Sequence, residues 1–231
     1  MRNAALLSLM LLVLPAVAAA RPPVVVELFT AQGCASCGEA NQYVAKLAER
    51  PGVLALTFPV DYWDYLGWTD TFARPEFTAR QKAYVSRLEL REPYTPQVVV
   101  DGLNQAAGVR TERVERLVSE ASRVPHDPPD MRIINPRRVD VGTGRVPRGG
   151  AEVWLVRYDP RELEVTVRNG DNRGQTIVHR NVVREIERLG AWRGRPTAYR
   201  TKPSETPGLK TVVIVQGARG GRVLGVVQAR D

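Results

Sequence analysis

Val24-Val25-Val26-Glu27-Leu28-Phe29-Thr30-Ala31-Gln32-Gly33-Cys34-Ala35-Ser36-Cys37 carries both cysteines of the 231-residue chain, directly after a short apolar run. Residues 24–29 form the kind of run seen in a strand buried on both faces of a sheet. Gly33 breaks it, and the cysteine pair opens a helix in which Ala40, Tyr43, Val44 and Leu47 share one face. A thiol at a helix start sits near unpaired backbone N–H groups and the positive end of the helix dipole, which favour the thiolate. The thiolate is the reactive form, so this stretch predicts redox chemistry.

Working outward, strand and helix signals alternate as far as Arg123. Pro51-Gly52 ends the first helix, and residues 53–60 give a second apolar strand. An aromatic loop follows, Asp61-Tyr62-Trp63-Asp64-Tyr65-Leu66-Gly67-Trp68. Pro75 opens a second helix at a position where its missing N–H costs little. Tyr94-Thr95-Pro96 precedes the strand 97–100, Asp101-Gly102 signals a hairpin, and residues 103–107 give an edge strand. Thr111 is the expected cap of a third helix carrying Val114, Leu117, Val118 and Ala121. The order β-α-β-α-β-β-α predicts a mixed, mostly parallel sheet with helices on both faces over residues 24–124.

Residues 125–130 are proline-rich and polar, the composition of a linker. Beyond them, over 131–231, apolar runs are bounded by Gly, Pro, Asn and Asp. Residues 152–158 are strand-like, and Leu163, Val165 and Val167 alternate with polar residues at the period of a half-buried strand. A strand is expected over 176–183, continuing through 182–189, where Val182, Val183, Ile186 and Leu189 also fit a helix. Residues 211–216 and 223–228 read as a final hairpin. The expected architecture is an α/β domain followed by an all-β antiparallel sandwich-like domain.

Residues 1–20 have the pattern of a secretory signal peptide: Arg2, an apolar stretch, then Ala18-Ala19-Ala20 before Arg21. Export to the periplasm or outside the cell, as a soluble protein, is the expectation, and an oxidising compartment lets a disulfide persist. A three-residue separation restrains little of the unfolded chain, so stabilisation alone is a poor reason for the pair. The formal charge is +8, with the arginines scattered through strand-like segments. That distribution reads as solvated surface, and nucleic acid is not an expected partner.

The first strand, the C-x-x-C helix start, the later Thr95-Pro96 and the β-β-α ending together resemble the thioredoxin fold. The resemblance implies that Pro96 is cis, that it packs beside the cysteines, and that the Thr95 backbone offers strand-like hydrogen bonds to a visiting peptide. On access and charge, Cys34 at the exposed helix start is the nucleophile and Cys37, one turn in, resolves the mixed disulfide. Thioredoxins place a buried acid on the strand before the cysteines, and Glu27 takes that role only if residues 30–33 hold an insertion. Its other reading is a solvent-facing or hydrogen-bonded glutamate. Trp63, Tyr65 and Trp68 are either a substrate-binding wall or aromatic packing.

Residues 27–37, 60–68 and 94–97, with Val153-Trp154-Leu155-Val156-Arg157-Tyr158-Asp159 and Asn181-Val182-Val183-Arg184, resemble a bacterial family of exported thioredoxin-like proteins catalogued as a domain of unknown function. Relatives tend to carry Pro-Pro-Ala-Asp after the second cysteine, where this chain has Gly38-Glu39-Ala40-Asn41. The change places a negative charge near Cys37 and opposes thiolate formation there.

Three functions follow as expectations. The first is an exported thiol–disulfide oxidoreductase acting on exported proteins or small thiols, with no cofactor. The second is a Cu(I) chaperone or insertion factor using Cys34 and Cys37, since two thiolates suit that soft ion. The third is a binding module with an inert disulfide. A structural zinc site needs four ligands, and His126 and His179 stand far from the cysteines in sequence.

Overall fold

The computed structural model describes residues 21–229. The expected signal peptide, residues 1–20, lies outside the described residues. In chain order the elements of the first half are β1 (Val24–Thr30), α1 (Cys37–Ala48), β2 (Val53–Pro59), α2 (Pro75–Arg87), β3 (Gln97–Val100), β4 (Asn104–Ala107) and α3 (Thr111–Arg123), with a short 3-10 turn at Asp64–Leu66. The second half adds β5 (Met131–Asn135), β6 (Arg138–Val141), β7 (Ala151–Asp159), β8 (Leu163–Thr166), β9 (Thr176–His179), β10 (Val182–Trp192), β11 (Thr197–Arg200), β12 (Lys210–Gly217) and β13 (Val223–Gln228).

All seven residues of β1 are buried, as an apolar run without alternation predicts. β1 pairs in parallel with β2 and antiparallel with β3, which pairs with the edge strand β4. α1 and α3 cover one face, packing Ala40, Val44, Leu47, Val114, Leu117 and Val118 against Val24, Val26 and Leu28. α2 covers the other, where Phe77 and Tyr84 meet Phe29 and Phe58. Pro75 begins α2 as expected. Thr111 is the first helical residue of α3 and not its cap, which is Arg110.

The expected architecture, a thioredoxin-like α/β domain followed by a separate antiparallel sandwich, is not what forms. The protein is mostly β, built on one mixed eight-stranded sheet in the order β13-β12-β7-β10-β2-β1-β3-β4, with three helices among the described residues. The reason lies at the edge of β2. An apolar strand with one free edge leaves backbone groups unpaired, and the second half fills that position. β10 runs parallel to β2, with Val182 opposite Thr57. Around that pair, the Thr57 N–H donates to the Asn181 carbonyl at 3.0 Å and the Thr57 hydroxyl to the Arg180 carbonyl at 2.7 Å. The Asn181 side-chain amide donates back to the Ala55 carbonyl at 2.8 Å.

The remaining strands pack on this platform. β11, β6 and β5 form a small sheet whose Val139 and Tyr199 cover Val153, Leu155, Val213 and Val215 of β7 and β12. β8 and β9 form a separate two-stranded hairpin between β7 and β10. The run read as continuous over 176–183 is interrupted at Arg180-Asn181, where Asn181 takes a left-handed conformation (φ 50°). β10 is a strand throughout, and its helical-looking spacing has a local cause. Register shifts between Val183 and Glu185 and between Arg188 and Gly190 reset the alternation of faces.

Candidate functional site

Cys34 and Cys37 are joined in a disulfide at the mouth of α1. The turn is built from the backbone: the Cys34 N–H donates to the Ala31 carbonyl at 3.2 Å and the Cys37 N–H to the Cys34 carbonyl at 3.1 Å. Ser36 is the cap residue of α1 and makes no side-chain capping bond; its hydroxyl oxygen lies 3.7 Å from Cys34 Sγ instead. Cys37 is therefore the first residue of the helix, and Cys34 stands just outside it.

Sequence reasoning expected Cys34 to be exposed. Ala35 and Ser36 do face solvent, but Cys34 is 1% and Cys37 0% exposed. Two segments far away in sequence are bonded to the loop that carries the cysteines. The first is the aromatic loop and its continuation. Buried Asp70 accepts hydrogen bonds from the backbone N–H groups of Gln32 (2.7 Å), Phe72 (2.9 Å) and Ala73 (3.2 Å). Burial outweighs those donors and pushes the Asp70 carboxyl up to about 6. The Gln32 side chain joins in: Trp68 Nε1 donates to its Oε1, and its Nε2 donates to the Thr71 hydroxyl. Trp63 packs beside Gly33 and donates from Nε1 to the Thr95 hydroxyl at 2.8 Å. Trp63 and Trp68 thus tether the cysteine loop, whereas Tyr65 is 81% exposed.

The second segment is the β8–β9 hairpin. Asn172, buried in its turn, donates from Nδ2 to the carbonyls of Gln32 (2.7 Å) and Cys34 (3.0 Å). Ile177 on β9 rests against the open side of Gly38 in the first turn of α1. His179, at the end of β9, places Nδ1 3.4 Å from Asn41 Nδ2, and Asn41 Oδ1 accepts from the Thr30 hydroxyl at 2.8 Å. Burial holds His179 down to about 4, so the ring is neutral at pH 7. Asn172 and Gln32 did not stand out in sequence, because a lone amide has no spacing signature; His179 was weighed only as a metal ligand remote in sequence from the cysteines, and the fold brings it to Asn41 of α1. The second cysteine's neighbour Asn41 was noted only as a departure from the family pattern.

The Thr95–Pro96 peptide is cis, and Pro96 is buried near Gly108 and Ala40 of α1. Gly108 makes this approach feasible: a Cβ there would fall 2.8 Å from the Ala40 Cβ and 3.0 Å from the Pro96 Cβ. Glu27 is buried, as one of its two readings had it, and is taken up in an ion pair. Its two oxygens are gripped by Arg80, from Nε at 2.9 Å and Nη2 at 2.5 Å, and both side chains are almost fully buried. Arg80 Nη2 also donates to the Tyr84 hydroxyl and to Gln216 Oε1, and its guanidinium lies over the rings of Phe58, Tyr84 and Trp154. The ion pair locks α2 to both halves of the sheet. The two sulfurs, bonded to each other, present no thiolate to a metal in this state.

This arrangement defines a mostly β protein with a covered disulfide loop at the end of a continuous sheet. The family model described as a protein of unknown function (DUF1223) matches residues 25–216, and the chain belongs to that family. Among solved structures, a protein of Agrobacterium tumefaciens is similar at 29% identity and a TM-score of 0.71, covering 91% of this chain and 95% of that one. HBP35 of Porphyromonas gingivalis shares the fold at 13% identity and a TM-score of 0.58, covering 90% of this chain and 74% of that one. No curated protein matches the chain. Among the described residues, no helix is long and apolar enough to cross a membrane.

Proposed function

We propose that the protein is an exported thiol–disulfide oxidoreductase whose Cys34–Cys37 pair exchanges two electrons with thiols of exported proteins or small molecules. The observation that carries this reading is the local build of the pair. The disulfide opens α1, its Ala35-Ser36 loop faces solvent, and the Ser36 hydroxyl stands 3.7 Å from Cys34 Sγ, placed to hydrogen-bond a thiolate. The Trp63–Thr95 bond adds support by fixing the residue before Pro96 to the cysteine loop.

In the oxidising direction a substrate thiolate attacks Cys34 Sγ. A substrate–Cys34 disulfide forms, the Cys34–Cys37 bond breaks, and Cys37 leaves as thiolate and takes a proton. A second substrate thiolate then attacks the substrate sulfur of the mixed disulfide and expels Cys34. The substrate ends as a disulfide and the protein as a dithiol; the reverse sequence reduces a substrate. Because both sulfurs are covered, exchange requires the β8–β9 hairpin to withdraw from the cysteine loop, a local opening that breaks the two Asn172 bonds.

The burial of both sulfurs favours a second reading, a non-catalytic binding module with an inert disulfide. Cysteine substitutions separate the two. Under the redox reading Cys37→Ser accumulates mixed disulfides through Cys34, and Cys34→Ser does not. Absence of trapped species in both, with partner binding unchanged, favours the inert module. A stoichiometric Cu(I) complex of the reduced pair without exchange activity favours the chaperone reading.

A further inference from the structure

We propose that a groove beside the C-terminal end of α2, lined by Arg87, Arg145, Arg148, Arg219 and Arg222, is a binding site for a phosphate-bearing anion. In sequence these arginines are spread over 136 positions and read as solvated surface. The fold gathers them from three segments: the C-terminal end of α2, the loop before β7 and the turn between β12 and β13. Together they enclose about 780 Å³, within the span of small-molecule sites.

The charge balance points to the ligand. Glu89 is the one carboxylate lining the groove. Asp101 and Glu152 stand behind it: Asp101 feels the charge of Arg222, and Glu152 is engaged by Arg188 at 2.8 Å and by the Arg219 backbone N–H at 3.4 Å. Among the described residues none of the five lining guanidinium groups forms an ion pair, and all but Arg222 are exposed. Unpaired like charges around one concavity repel, and a ligand of several negative charges relieves that repulsion. Guanidinium forks match phosphate oxygens two at a time, and each phosphate group brings up to about two charges.

The walls are held in place. The Ala218 N–H donates to the Gly150 carbonyl at 3.1 Å, tying the two loops together. Gln216 Nε2 donates to the Gly221 carbonyl at 2.7 Å, anchoring the turn to the buried Glu27–Arg80 cluster. Gly220, at φ 73°, lies flush on α2, where a Cβ would come within 3.1 Å of the Ala83 backbone. Arg219 itself takes φ 57°, which projects its side chain from a tight turn.

The test uses the full mature chain, tripolyphosphate as a soluble probe, and phosphatidylcholine vesicles with and without phosphatidic acid. Calorimetry and vesicle co-sedimentation are compared for the unaltered protein, for Arg148→Glu with Arg222→Glu, and for Arg113→Glu with Arg116→Glu on α3. The control pair changes net charge equally on another face. The expected result is binding in at least one arm that the groove pair weakens about tenfold or more and the control pair leaves within about twofold. Binding of tripolyphosphate identifies a free phosphate ligand; binding of phosphatidic acid vesicles alone identifies a lipid headgroup. No binding in either arm, or equal loss in both pairs, overturns the proposal.

Discussion

The Asn172 side-chain amide donates to the carbonyl oxygen of Cys34 at 3.0 Å, joining the β8–β9 turn to the first cysteine across a separation of 138 residues. The same amide reaches the Gln32 carbonyl, so one buried side chain closes both sides of the loop that presents the disulfide. The loop that carries the disulfide is therefore held by a contact from the other half of the chain.

Replacing Asn172 tests whether that contact gates access to the disulfide. Asn172→Ala leaves two buried carbonyls without their donor, at a cost of about 1–3 kcal/mol. The cover then opens more often, and the disulfide is reduced by dithiothreitol about tenfold faster than in the unaltered protein. Timed alkylation with mass detection measures the rate; an unchanged rate in a less stable protein would show that the hairpin does not gate access.

The Glu27–Arg80 pair acts on stability and not on electron exchange. Glu27→Gln leaves a buried guanidinium without its counter-charge and costs about 3–5 kcal/mol, and Arg80→Met costs a similar amount for the converse reason. The double variant Glu27→Leu with Arg80→Met recovers most of that loss. Urea unfolding reports the energies. Reduction kinetics of the double variant stay within about twofold of the original, since no proton leaves through Glu27.

His179 makes the protein acid-sensitive. Its folded value of about 4 lies below the ordinary 6.5, so the unfolded chain binds the extra proton between those limits. The His179 contribution is fully present above about pH 6.5 and is lost as pH falls toward 4, by about 3 kcal/mol in all. Asp70 works in the opposite sense: raised from 3.8 to about 6, its contribution is present below the lower value and lost as pH rises through the upper one. Because the two windows overlap, the measurement is the difference between the unaltered protein and His179→Phe in urea midpoints from pH 4 to 7. That difference narrows steadily with acidification.

One sheet through both halves predicts one unfolding event. Trp63 and Trp68 report on the first half, and Trp154 and Trp192 on the second. Variants that keep a reporter tryptophan in only the first half, and variants that keep one in only the second, each unfold by fluorescence at the same urea midpoint as by circular dichroism of the whole chain. Asn181→Ala, which removes the bond to the Ala55 carbonyl and an αL-tolerant residue at φ 50°, costs about 1–2 kcal/mol of unfolding free energy and lowers both midpoints together. Separate transitions would contradict the β2–β10 junction.

Much of the local structure was legible in the chain. The apolar runs at 24–29 and 53–60, the proline opening α2 and the final hairpin all depend on neighbours in sequence, and each lies where its pattern puts it. The long-range joins were not. Nothing in Thr57 or Val182 announces that they meet, because a parallel pairing uses backbone groups that every residue carries. The expectation of an α/β thioredoxin-like fold followed by a sandwich failed at that point. The same limit hid the cover over the cysteines: Cys34 looked exposed because its local context is a helix start, while Asn172 and Asp70 arrive from elsewhere. Glu27 shows the converse, a residue conspicuous by its position that the fold spends on Arg80.

The most direct test of the redox account is equilibration of the protein in glutathione buffers of graded potential, followed by acid quench, alkylation and mass mapping. The account predicts a single two-electron transition between about −270 and −120 mV, with Cys34 alkylated faster than Cys37 in the reduced protein. A disulfide that stays closed below about −300 mV, or a reduced pair in which neither thiol outpaces an ordinary exposed cysteine, contradicts it.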